Sequence, residues 1–321
     1  LESYIHDSVI PSKIKNFDVI TNEKNPKLSK LLKNYNCKIY VVKKISYYFF
    51  KKNFDIKNSL LISAGSTWLI KSDIIKLFNK NILNIHQSPL PSLRGAVASY
   101  AKLFEIRAFQ TCIHVINEQI DKGSVVVQKD IFIDKKYDTP LKINNYLQKN
   151  NRELLKDFLI SYFIKKKKVS YLKQNEFFSS YMPRLKTHLN GWIDWSQNVY
   201  ELERFIGAFD QPYAGAKTYL HGKQVSLMDV QLSCMEPSRH FFENGMVIRK
   251  FMDNIVISTI GGTLYVKKVI QKNENIIQKI IPGDIFYTKI KNLDFSKRKN
   301  IYIKKDKNIF KHKNLNIKKY K

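Results

Sequence analysis

At 321 residues, with 44% hydrophobic and 26% charged side chains, the chain is long enough to bury one large core or two ordinary ones. It holds no run of about 18 apolar residues, which excludes a membrane-spanning helix. The net charge of +29 invites a nucleic-acid reading, but it comes from 48 lysines against eight arginines beside abundant Asn and Ile. That is the residue bias of an AT-rich genome, and a phosphate-clamping surface draws more on the planar guanidinium fork. Cys37, Cys112 and Cys234 stand far apart and form no CxxC pair, which argues against a disulfide framework or a zinc motif and fits a reduced, cytoplasmic setting.

The chain opens on Leu1 with a helical pattern over residues 1–10 and no basic-then-apolar leader. No strand with a glycine-rich turn precedes that pattern, so a truncated sequence or an unusual start codon is expected. Residues 17–21 read as a strand, 26–35 as a helix, 37–42 and 59–65 as β-branched-rich strands, and 72–79 as a helix. Residues 82–86 form a further strand, followed by a proline-containing loop and a helical stretch over 95–104. This alternation predicts parallel strands joined by helical crossovers. Strands at 111–116 and 124–133 follow with no helix between them, an antiparallel extension of the sheet whose joining loop carries Asp121 and Gly123. Residues 140–168 read as one long amphipathic helix.

Residues 171–190 lack a clear period and read as a linker. Beyond them Ser196 is the expected N-cap of a helix with an apolar face at Val199, Leu202, Phe205 and Ile206. From residue 216 short strands alternate with turns at His221-Gly222 and Gly261-Gly262. The expected fold class is therefore α/β: a Rossmann-like, mostly parallel sheet with helices on both faces over 1–170, then a smaller β-rich, OB- or barrel-like domain over 191–288. Residues 289–321 form a basic tail with about a third of the net charge, expected as a solvated end.

The chemistry concentrates in NILNIHQSPLPSLRG. Asn84 and His86 are two apart at the carboxyl end of a predicted strand, so their side chains share a face, and that end is where ligands bind open parallel sheets. The prolines at 89 and 91 stiffen the loop that follows. An Asn-x-His pair alone is also met as a backbone-bonded, partly buried histidine.

The longer pattern decides more. Asn84, His86, Ser88, Leu90, Pro91, Arg94 and Gly95, followed by Asp121, Gly123 and Gln128, match in order and spacing the pattern of the folate-dependent formyltransferases. The chain resembles that family, which includes methionyl-tRNA formyltransferase, glycinamide ribonucleotide transformylase and the sugar N-formyltransferases. The resemblance extends through LISAGSTWLI and, in the second half, through NGWIDWSQ, RFIGAFDQPYAGAKTY and PGDIFYT, where Asp194, Trp195 and Pro212 read equally as structural turns and core. It departs at the amino end, where the family's first strand and its acceptor-holding loop have no counterpart.

The resemblance implies 10-formyltetrahydrofolate as donor, no metal, and Asn84, His86 and Asp121 as the catalytic residues. It places the folate between Gly65, Ser66, Thr67, Trp68 and Leu69, the loop Ser88, Pro89, Leu90 and Pro91, and Ile120 with Gly123; for Trp68, core packing is an even alternative. An amide and an imidazolium suit the oxyanion that forms when an amine attacks a formyl carbon. A carboxylate at Asp121 is expected to raise the pKa of His86 and to take up the amine's proton. The expected acceptor is a nucleotide-linked amino sugar, with initiator tRNA the alternative. Hydrolysis of the donor, or a non-catalytic basic binding module, are the remaining readings.

Overall fold

The computed structural model describes residues 14, 16–24, 26–66, 68–233, 236 and 239–298. The helical pattern over 1–10, Thr67, Cys234 and residues 299–321 of the basic tail lie outside them. In chain order the elements are β1 (Val19–Thr21), α1 (Pro26–Leu31), β2 (Ile39–Val41), α2 (Tyr47–Asn53), β3 (Leu61–Ala64), α3 (Ser72–Phe78), β4 (Ile82–His86), β5 (Arg94–Gly95), α4 (Ala98–Leu103), β6 (Ala108–Val115), β7 (Val125–Phe132) and α5 (Pro140–Leu159). There follow β8 (Tyr181–Met182), α6 (Thr187–Asn190), α7 (Val199–Ala208), β9 (Ala216–Leu220), β10 (Lys223–Ser233), β11 (Val247–Phe251), β12 (Asn254–Thr259), β13 (Gly262–Gln271), β14 (Glu274–Asn275), β15 (Phe286–Tyr287) and α8 (Ile290–Arg298).

The site rests on a sheet of order β3-β4-β6-β7. Its β3–β4 pair is parallel, and the β4–β6 and β6–β7 pairs are antiparallel. A helical crossover, α3, joins β3 to its parallel neighbour β4, and a loop without a helix joins β6 to its antiparallel neighbour β7. β1 and β2 form a separate parallel pair.

Helices cover both faces of the four-stranded sheet. Along β4 the alternation of a strand sends Ile82 to one side, against Phe50 of α2 and Ile74 and Phe78 of α3. Leu83 and Ile85 go to the other, against Leu154, Leu155 and Phe158 of α5. Each such side chain, fully buried, contributes about 1.5–3 kcal/mol. Thr139 caps α5 by accepting from the Lys142 N–H, with Pro140 as the first helical residue. The α-helical turns of α5 stop at Leu159, short of the predicted end at 168; a π-turn over Ile160–Ile164 follows.

The second domain is an antiparallel sheet of order β11-β12-β13-β10-β9-β15, with β14 paired to β13. It curls until its ends meet: Met246 bridges Ile285, and the Val247 N–H donates to Asp284 O. α7 plugs the opening, burying Val199, Leu202 and Ile206 among Leu227, Val247, Ile257 and Leu264. Its N-cap is Asn198, whose side chain accepts from the Glu201 N–H. Ser196, the expected cap, is instead held by Asp194, which accepts from both its N–H and its hydroxyl. Trp195 stacks on Phe286 and donates to Thr218 Oγ1. α8 takes up the first residues of the tail. Among the described residues no helix is long and apolar enough to cross a membrane.

The two domains meet along α4 and α7. Lys102 pairs with Glu203, and Arg204 with Glu105 at 2.6 Å. Residues 171–190 run between them and pair β8 in parallel with β5.

Candidate active site

Three residues of β4 share one face and change character along it. Ile82 is core, while Asn84 and His86 lie at the carboxyl end, beyond the reach of α2 and α3. The antiparallel register with β6 sets His114 opposite Asn84 and Cys112 opposite His86. The β6–β7 loop then brings in Asp121, whose φ of 54° is a left-handed conformation that Asp tolerates better than most residues.

Asn84, His86 and Asp121 are thereby brought together, and His114 stands among them. Asp121 Oδ2 accepts from the Gly95 N–H at 2.9 Å and lies 3.8 Å from His86 Nε2. Asp121 Oδ1 lies 3.6 Å from His114 Nε2, which is itself 3.2 Å from Asn84 Nδ2. His114 Nδ1 is 2.9 Å from Val115 O. A carbonyl only accepts, so Nδ1 carries a proton, and Nε2, facing the Asn84 amide nitrogen, accepts from it. His86 Nε2 is 3.3 Å from Leu93 O and donates to it; Ser88 Oγ donates to the same oxygen. His86, His114 and Asp121 also offer donor atoms within 4.8 Å of one another, a set that meets a metal's requirements in type.

The electrostatics differ from the expectation in one respect. Burial lowers the pKa of His86; the field of Asp121 raises it, as expected, but desolvation is the larger effect and the net shift is down. Asp121 runs the other way: burial opposes its ionisation, yet His86, His114 and the Gly95 N–H together hold its carboxyl well below the usual range. The resting pair is thus an ionised carboxylate beside a neutral imidazole. Burial drives the Cys112 thiol far up, so it has no thiolate character.

Gly123 closes this loop against β6. A Cβ there would lie 1.7 Å from Val115 O, so no other residue fits. Gly95, at φ 94°, would meet Met182 O at 2.4 Å. It leads into α4 by way of the β5–β8 pair, so the helix expected from 95 begins at Ala98.

The sequence-predicted folate residues fall in three places. Ser88 and Leu90 are buried below the catalytic face, Leu90 against Cys112 and Val125, with Pro89 and Pro91 partly exposed. Ile120 and Gly123 flank Asp121. Gly65 and Leu69 are exposed on the loop after β3, where Ser66 Oγ accepts from the Trp68 N–H. Trp68 is half-buried against the Phe50 cluster and its indole donates to Lys43 O, which is the core-packing alternative. Sequence reasoning missed His114 and the two partners of buried Arg94, Gln174 and the half-buried Glu176. Once β6 is taken as antiparallel to β4, the alternation Cys112, His114 would have pointed to His114.

A family model described as formyl transferase matches residues 9–159, and one described as formyl transferase, C-terminal domain, matches residues 186–280. The bifunctional polymyxin resistance protein ArnA of Wigglesworthia glossinidia brevipalpis is 26% identical over 179 residues, 56% of this chain and 27% of that protein. Methionyl-tRNA formyltransferase of Nitrosomonas europaea is 24% identical over 204 residues, 63% of this chain and 61% of that protein. The chain thus spans less than two thirds of the length of these curated relatives. Two solved structures share the fold. HypX from Aquifex aeolicus in complex with tetrahydrofolic acid has a TM-score of 0.55 at 17% identity, over 79% of this chain and 44% of that one. The N-formyltransferase from Helicobacter canadensis in complex with folinic acid and dTDP-3-aminofucose has 0.55 at 18%, over 79% and 99%.

Proposed function

The chain belongs to the formyltransferase family, and on that premise we propose that it is a 10-formyltetrahydrofolate-dependent N-formyltransferase acting on the amine of a nucleotide-linked amino sugar. The observation that carries the reading is the meeting of Asn84, His86 and Asp121, with His114, at the carboxyl end of β4.

When bound, the donor supplies an electrophilic formyl carbon and leaves as tetrahydrofolate. The residues present suit it: an uncharged amide and imidazole for a carbonyl oxygen, an ionised carboxylate for a proton, and an apolar flank at Leu90. Asn84 spends one amide hydrogen on His114 and keeps the other for the carbonyl oxygen, where negative charge grows as the amine attacks; one such donor is worth about 3 kcal/mol. His86, neutral by burial, holds its Nε2–H on Leu93 O and becomes a second donor by turning that hydrogen from Leu93 O to the formyl oxygen. Asp121 takes the proton that the attacking nitrogen must lose, directly or through water, and the His86–Asp121 pair returns it to the departing nitrogen. The acceptor N–H is exchanged for N–CHO without a covalent enzyme species. Cys112 is a buried free thiol, which suits a reducing, cytoplasmic setting.

Initiator tRNA is the second reading, favoured by the curated relatives named methionyl-tRNA formyltransferase. The deciding experiment incubates the purified chain with 10-formyltetrahydrofolate and a panel of amino-sugar nucleotides, beside charged initiator tRNA, with products read by mass. Formylated sugar supports the first acceptor and formylated methionyl-tRNA the second. Formate release without transfer would mean hydrolysis, and an untouched donor in every arm overturns the proposal.

A further inference from the structure

Gln174, in the segment after α5, is buried against the first domain, 53 residues after Asp121. Its side-chain amide uses its full hydrogen-bonding capacity. Nε2 donates to the backbone oxygens of Asp121 at 2.8 Å and Gly123 at 2.7 Å. Oε1 accepts from Arg94 Nε at 3.2 Å and Nη2 at 2.8 Å. Arg94 is itself buried and continues to Glu176 through Nη1 at 3.0 Å and Nη2 at 2.6 Å. Lys122 Nζ lies 3.4 Å from the same carboxylate.

The polarity of this arrangement admits no inversion. The two backbone oxygens only accept and the guanidinium only donates, so the side chain between them must offer two hydrogens on one side and two lone pairs on the other. A carboxylate or an alkyl group of the same length fails on at least one side, and in a buried network each failure is costly. What the amide holds is the loop that carries Asp121. That residue has left-handed backbone, and Gly123 is wedged against Val115 O, so the turn is set by tertiary partners rather than by local preference.

We propose that Gln174 is a positioning residue for formyl transfer: by gripping the carbonyls of Asp121 and Gly123 it fixes the Asp121 carboxylate against His86 and His114, with Arg94 and Glu176 as its anchor. The role in transfer rests on the reading of the site given above; the role in placing the carboxylate does not.

The test compares Gln174→Glu and Gln174→Met with the unaltered chain in two measurements. One is steady-state transfer, where kcat falls about 10- to 100-fold, the scale of a small misplacement, with KM for donor and acceptor within about threefold. The other is the Asp121 carboxyl titration followed by carbon-13 NMR, which faces His86, His114 and, through the network, Lys122, Arg94 and Glu176; it moves up toward an ordinary aspartate. Folded variants with unchanged kcat and unchanged Asp121 titration overturn the proposal, and Gln174→Met serves if Gln174→Glu does not fold. Should the unaltered chain transfer no formyl group, the reading of the function fails alone, and the NMR titration still decides the placement.

Discussion

Asn84 Nδ2 and His114 Nε2 face each other at 3.2 Å across the β4–β6 ladder, so a residue outside the Asn–His–Asp pattern orients the asparagine within it. The bond fixes which edge of the Asn84 amide is spent and which is left over, a choice that an asparagine alone leaves open by rotation of its amide.

Replacing His114 by Phe keeps the ring and removes that acceptor. Losing one neutral hydrogen bond of about 1 kcal/mol lowers kcat between fivefold and tenfold by that estimate, with donor KM little changed. Steady-state kinetics check this; an unaltered kcat shows that Asn84 needs no partner.

Stability should depend on pH through the two ionisable members of the proposed catalytic set, in separate windows. The folded pKa of His86 is lowered from the ordinary 6.5. Above that pH the ring is neutral whether folded or not, and His86 costs nothing. As the pH falls below 6.5 the unfolded chain binds a proton that the buried ring resists, and stability declines. The folded pKa of Asp121 is lowered from 3.8, so its contribution is full above that value and is lost only at lower pH. Urea unfolding at pH 7.5 and 5.5 should therefore show a drop that His86→Gln reduces; an equal drop in the variant rules out a buried neutral His86.

Gly123→Ala tests the packing of the loop. The added methyl meets Val115 O at 1.7 Å, so backbone must move, at a cost of about 1–3 kcal/mol for overpacking. Thermal unfolding should register the loss, and Asp121 should be displaced enough to lower kcat more than tenfold, the scale of a 1 Å error.

Cys112→Ala separates acid–base from covalent chemistry. The thiol is buried, donates to Ser88 O at 3.6 Å and is held protonated. The variant should keep transfer within about threefold while losing about 1 kcal/mol of stability for the small void. Abolished transfer in a folded variant would bring back an acylated cysteine.

At the junction of the domains, Lys102 is buried and its charge is met by Glu203. Gly207 lies against its stem; a Cβ there would fall 2.3 Å from Lys102 Cε. Glu203→Gln leaves a buried ammonium without its counter-charge, costing on the order of 3 kcal/mol in urea unfolding. The double variant Lys102→Met with Glu203→Gln should recover most of that loss; no recovery means that the pair is not the cause.

Periodicity located most elements of the first domain, because a half-buried strand or helix writes its spacing into the chain. It failed where tertiary partners override local signals. The helix expected from Gly95 starts at Ala98 because β5 pairs with β8 first. Asn198 rather than Ser196 caps α7 because Asp194 has already engaged the serine. Asn84, His86 and Asp121 were legible through the order and spacing of a pattern. His114 and Gln174 were not: one is 30 residues from the Asn84 it contacts, and the other lies in a stretch without period.

The sequence by itself determined that Asn84 and His86 share a strand face, a local fact that follows from the two-residue repeat of a strand, while the residue types of the site came from the match to a family pattern. Tertiary structure alone decided their protonation and their aim. Desolvation at His86, the contacts that keep Asp121 ionised, and the amide of Gln174 behind its loop are sums over neighbours distant in sequence, and such sums exist only once the chain has closed around them.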